Sequence, residues 1–154
     1  MRRRITLLNH QLKTAHMKST IKWIDNVQFV AETGSGHAIV IDGAPEYGGR
    51  NTGSRPMELV LAGAASCTAF DVVLMLNKSR QKFTSLHVDA EAERAEVDPK
   101  VFTTIKLIFK IAGKGLDPGA VERAVKLSKE KYCSATAMLG MTAKISTEIV
   151  LTEA

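Results

Sequence analysis

Apolar residues recur along this chain at two different periods, and the changes of period mark out its elements. Ile21, Trp23, Val27, Phe29 and Ala31 fall in a strand-like stretch, with a slip in alternation at Asp25-Asn26 that signals a turn or bulge. Thr33-Gly-Ser-Gly36 reads as a tight turn, and His37-Ala-Ile-Val-Ile-Asp42 returns from it to close a hairpin. Residues 43–55, with Gly43, Gly48, Gly49 and Gly53 beside Pro45, Asn51 and Ser54, have no period and predict a flexible loop.

Pro56 to about Lys78 is the longest helical segment, with Ser54 or Arg55 at its cap and Pro56 in the first turn, where a missing N–H is harmless. From Leu59 to Leu76 only Ser66, Thr68 and Asp71 are polar. The run approaches a bilayer span in length. Gly63, the small alanines and Asp71 in mid-run instead predict a helix buried on all sides in a soluble core.

Period two returns at Thr84 to Glu96, where Leu86, Val88, Ala90 and Ala92 alternate with His87, Asp89, Glu91 and Glu93. Val101 to Ala112 alternates Thr103, Ile105, Leu107, Phe109 and Ile111 with mostly polar partners, so the two segments predict a hairpin joined through Asp98-Pro99. Asp117-Pro118 opens a second helix, apolar at Val121, Ala124, Val125 and Leu127, running to about Tyr132. Cys133 lies at or just past its end, Ser134 to Leu139 predicts a short further helix, and Thr142 to Leu151 a last strand. The order strand, strand, helix, strand, strand, helix, strand is α+β with antiparallel pairing. One small sheet cannot cover a helix apolar on every face, so a second copy of the chain is the expected cover.

The length of 154 residues fits one domain and one core. A net charge of +5 suggests nucleic-acid binding until its distribution is read. Arg2, Arg3, Arg4 and Lys13 account for most of it, with no acidic residue in the first sixteen positions; the rest holds 17 Lys+Arg against 16 Asp+Glu. Such a body has no basic stripe interleaved with aromatics, which argues against a nucleic-acid groove. Residues 1–16 lack the continuous apolar core of an export signal and are expected to be a basic N-terminal extension outside the fold, leaving 17–154 as one domain. With two cysteines and no export signal, a reducing cytoplasm is expected, with no membrane partner.

Thiols are the one reactive class for which the sequence offers a pair, Cys67 and Cys133. A thiolate attacks peroxide oxygen to give a sulfenic acid, which a second thiol resolves to a disulfide. The alternative is that both are small buried hydrophobes. His37 and His87 have no second ligand at metal spacing, and Ser66 has neither a nucleophile-elbow context nor a base, so its hydroxyl is expected to bond back to the helix. Asp71, one turn past Cys67, would oppose its ionisation if close.

Two segments also carry a family resemblance. Pro56-Met-Glu-Leu-Val-Leu-Ala-Gly-Ala-Ala-Ser-Cys-Thr-Ala-Phe-Asp-Val72 resembles the central-helix motif of the OsmC/Ohr family, and Lys131-Tyr-Cys-Ser-Ala135 resembles its second cysteine motif. Within that family the likeness is to the YhfA-like branch. The resemblance covers about Lys18 to Leu151 and implies antiparallel sheets wrapped around two central helices in an intertwined homodimer. It further implies reduction of small organic hydroperoxides, with Cys67 as peroxidatic thiol, Cys133 as resolving thiol, no bound cofactor and an external dithiol as reductant. Characterised members add a glutamate just after the helix proline and an arginine from the N-terminal strands. Here Met57 stands at the glutamate position, with Glu58 next to it, and the turn Thr33 to His37 has no arginine, so Arg55 and Arg50 are the candidate cations. A dimer that binds a small apolar ligand without catalysis is the alternative function.

Overall fold

The computed structural model describes residues 16–154, so the expectation for the basic head lies almost wholly outside the described residues. The chain divides at Arg55/Pro56 into two compact units. In the first, β1 (Ser19–Asp25), β2 (Gln28–Thr33) and β3 (Ala38–Ile41) form an antiparallel meander in that order. The slip at Asp25-Asn26 is therefore a full chain reversal, and three strands stand where two were expected. Asn26 takes a φ of 45°, a left-handed conformation that asparagine tolerates, and its carbonyl accepts a hydrogen bond from Trp23 Nε1 at 2.9 Å.

The loop after β3 is organised by one buried carboxylate. Asp42 is 1% exposed and accepts from the Gly43, Arg50 and Thr52 amides at 2.9, 3.0 and 3.0 Å and from Thr52 Oγ1 at 2.8 Å. These donors hold its pKa down at about 2. The loop closes so tightly that a Cβ on Gly49 would lie 1.8 Å from the Gly43 carbonyl oxygen, which only glycine permits. An aperiodic sequence thus forms a defined loop, because burying the charge demands that all its donors be present.

The second unit contains α1 (Pro56–Lys78), β4 (Phe83–Arg94), β5 (Phe102–Gly113), α2 (Pro118–Leu127), a π turn (Ser128–Tyr132), α3 (Ser134–Leu139) and β6 (Lys144–Glu153). β4 and β5 are antiparallel, but β6 pairs with β5 in parallel, a departure from the all-antiparallel expectation. Residues 114–143, which hold α2, the π turn and α3, supply the long crossover that parallel pairing needs. Ile105, Leu107, Phe109 and Ile111 point into the core as their alternation predicts. At the start of β5, Phe102 is buried and Thr103 exposed, because a register shift at Glu93/Arg94 resets the alternation.

α1 starts at Pro56 as expected and lays one stripe, Ala64, Ala65, Thr68, Val72 and Leu76, inward. Val72 and Leu76 join Leu107, Phe109, Val121 and Val125 in one core, each such side chain contributing about 1.5–3 kcal/mol by leaving water. Asp117 caps α2, accepting from the Gly119 amide at 3.0 Å. The expectation of burial on all sides fails within one chain: Val60, Phe70 and Leu74 on the other side of α1 are exposed, Phe70 by 66%. The helix is long and apolar enough to cross a bilayer by length and composition, yet its inward stripe packs as the core of this unit.

Because the folded pKa of Asp42 lies below the usual ~3.9, its stabilisation is complete above about pH 4 and fades as pH falls toward 2. A carbon-detected NMR titration should place the Asp42 carboxyl midpoint near 2. A midpoint near 4 would mean that the loop does not close around it.

Candidate functional site

α1 carries Cys67 at its middle, half-buried, and the segment between α2 and β6 brings Cys133 to it. Cys133 is 2% exposed and is the N-cap residue of α3, where its Sγ accepts from the Thr136 amide at 3.4 Å. Its own amide donates to the Ser128 carbonyl at 2.9 Å, closing the π turn. Both thiols are free, and Cys133 lies close enough to bear on the charge of Cys67. Two residues far apart in sequence thus meet because α1 packs against both the π turn and α3.

The electrostatics oppose ionisation. The Cys67 thiol is pushed above its usual range, first by burial, then by its hydrogen bond with Cys133. The charges of Cys133 and Asp71 push the same way, and only the Ala135 amide acts against them. The Asp71 effect is the one its position one turn from Cys67 predicts.

Asp71 has a partner that the sequence reading missed. Its Oδ2 accepts from Ser128 Oγ at 2.9 Å, and Ser128 is fully buried. A signal was present: Ser128 continues the apolar series Val121, Ala124, Val125 at i+7, so a hydroxyl falls where the stripe calls for a hydrophobe. Ser66 behaves as expected, its hydroxyl donating to the Gly63 carbonyl at 3.1 Å.

α1 is continuous from Pro56, so nine residues turn Glu58 by about 900° to the face opposite Cys67. There it lines a cleft with Leu61, Ala65, Ser66 and Val88. Met57, at the position expected for glutamate, packs against the core. Arg50 and Arg55 belong to the first unit, where Arg50 pairs with Asp25 at 3.1 Å. His37 accepts or donates at 3.2 Å to Ser35, and among the described residues no three His, Cys, Asp or Glu side chains group as metal ligands do.

A groove of about 530 Å³ opens between α1 and α2, one helical turn from Cys67. Asp71, Leu74, Met75, Ala124, Leu127 and Tyr132 are among its walls. Two neighbouring cysteines can carry a two-electron thiol-disulfide cycle, and the groove is wide enough for a small apolar molecule.

Comparison with known proteins bears on this geometry. The family model described as OsmC-like protein matches residues 49–148. Protein YhfA of Escherichia coli strain K12 is 41% identical over 133 residues, 84% of this chain and 94% of the relative. The crystal structure of a hypothetical protein from Aquifex aeolicus VF5 superposes with a TM-score of 0.76 at 30% identity, covering 90% of this chain and 99% of that one. The organic hydroperoxide resistance protein OhrB of Bacillus subtilis shares the fold at a TM-score of 0.60 and 17% identity, over 87% of this chain and 97% of its own.

Since the Asp71 charge is one cause of the raised Cys67 pKa, Asp71→Asn should lower it. Iodoacetamide alkylation of Cys67 at pH 8, followed by peptide mass spectrometry, should then speed up by about twofold or more. A rate equal to or below that of the parent would remove Asp71 from the electrostatics of the thiol.

Proposed function

We propose that this chain, which belongs to the OsmC-like protein family, is a thiol-dependent hydroperoxide reductase in which Cys67 reduces the peroxide and Cys133 resolves the product. The observation that carries this reading is the proximity of the two thiols, which come from separate elements that pack together. The fold shared with organic hydroperoxide resistance proteins supports it.

The chemistry balances without a bound cofactor. The Cys67 thiolate attacks the terminal oxygen of ROOH, the O–O bond breaks, and the alkoxide leaves as ROH on taking a proton. Cys67 is now a sulfenic acid. The Cys133 sulfur attacks the Cys67 sulfur, water leaves, and a disulfide forms. An external dithiol returns both cysteines to thiols and is itself oxidised to a disulfide. The neighbouring groove suits the organic part of ROOH.

A thiol raised by burial needs a cation to ionise near neutral pH. Arg55 and Arg50 are our candidates for it, and Glu58 for the carboxylate that orients it. We place the working form in a homodimer, with the exposed face of α1 at Val60, Phe70 and Leu74 covered by a second copy. A reducing cytoplasm suits the free thiols. A second reading rests on the same groove and the same raised thiol: a dimer that binds a small apolar ligand and turns nothing over.

Peroxidase assays with cumene hydroperoxide and dithiothreitol separate the two readings. The parent should consume peroxide, Cys67→Ser should lose at least about a hundredfold, and Cys133→Ser should stall with a trapped Cys67 sulfenic acid detectable by dimedone labelling. No consumption by the parent, with retention of an apolar ligand in native mass spectrometry, would favour the binding dimer. Replacing Arg50 or Arg55 by Ala should cost at least about tenfold for whichever cation activates Cys67. Phe70→Glu should shift the mass measured by light scattering from two chains to one. A parent that is monomeric at micromolar concentration would remove the dimer.

A further inference from the structure

The hydroperoxide cycle leaves unused a polar pair behind the thiols. Asp71 Oδ2 accepts from Ser128 Oγ at 2.9 Å, and the same hydroxyl lies 3.4 Å from the Thr68 carbonyl. Ser128 opens the π turn, and its carbonyl accepts from the Cys133 amide at 2.9 Å. A continuous path therefore runs from the Asp71 carboxylate through the Ser128 side chain and backbone to the amide of Cys133. It begins on the helix that carries one thiol and ends on the residue that carries the other.

A π turn is rare, and it persists where tertiary contacts hold it. The Thr136 hydroxyl bonds to the Cys133 and Lys129 carbonyls at 3.1 and 3.4 Å, which steadies the segment internally but does not reach α1. The Ser128 hydroxyl does reach α1.

We propose that Asp71 is the positioning residue of the thiol pair: through Ser128 it anchors the π turn to α1 and so holds the Cys133 sulfur against Cys67. The proposal deepens the reductase reading, but its test needs no peroxide. Full-length protein is equilibrated at pH 7 with mixtures of oxidised and reduced dithiothreitol, trapped by alkylation, and the Cys67–Cys133 disulfide is quantified by mass spectrometry. In this exchange the two protein thiols give two electrons and two protons to oxidised dithiothreitol, whose ring opens as the protein disulfide closes. Burial holds the Cys67 thiol above its usual range, so at pH 7 it is a thiol before reaction and the charge of Asp71 does not bias the equilibrium through its ionisation.

Asp71→Ala and Ser128→Ala should each lower the equilibrium constant for the disulfide by about tenfold or more, and the double variant should add little. Asp71→Asn still accepts the Ser128 hydrogen bond and should stay within about threefold of the parent. Parent-like constants in both alanine variants would overturn the proposal. So would an equal fall in Asp71→Asn and Asp71→Ala, which would assign the effect to charge. If Asp71→Ala loses its native circular dichroism, Ser128→Ala carries the test, since it removes one hydroxyl only. A parent that forms the disulfide but consumes no hydroperoxide would sink the reductase reading and leave the positioning role standing.

Discussion

A helix that is apolar on nearly every side has to be covered, and the second unit is built around that demand. α1 turns one stripe onto the sheet formed by β4, β5 and β6, and α2, the π turn and α3 close over it as the crossover between two parallel strands. That crossover is what carries Cys133 back to Cys67. The thiol contact is thus a by-product of burial: the packing that removes Val72, Leu76, Val121 and Val125 from water sets where the two sulfurs meet.

The same burial works against reactivity. A half-buried thiol beside a second thiol and a carboxylate is hard to ionise, and one backbone amide does not offset all three. In our reading, nucleophilic chemistry at Cys67 calls for a cation to offset these effects. The exposed apolar side of α1, at Val60, Phe70 and Leu74, is the surface that we propose a second copy covers.

Asp42 and Asp71 show two uses of a carboxylate in low-dielectric surroundings. Asp42 collects four donors and stays ionised, organising a loop that has no hydrophobic reason to fold. Asp71 takes a single side-chain bond from a fully buried serine and so joins α1 to the π turn.

The elements that obey a strong local period were legible from the chain. α1 begins at Pro56 and β5 alternates as its residues dictate, because a helix start and a pleat are decided within a few neighbouring positions. The motif around each cysteine was legible too, and with it the family. What the sequence did not contain was the distance between those motifs, the parallel pairing of β6, the reversal at Asn26 or the loop closed on Asp42. Each depends on groups remote in sequence being brought into register, and no local period encodes such contacts. Sequence alone determined that there were two thiols and an apolar helix. Tertiary structure decided that the thiols are neighbours and that Ser128 bonds to Asp71, because those are consequences of how the crossover packs onto α1.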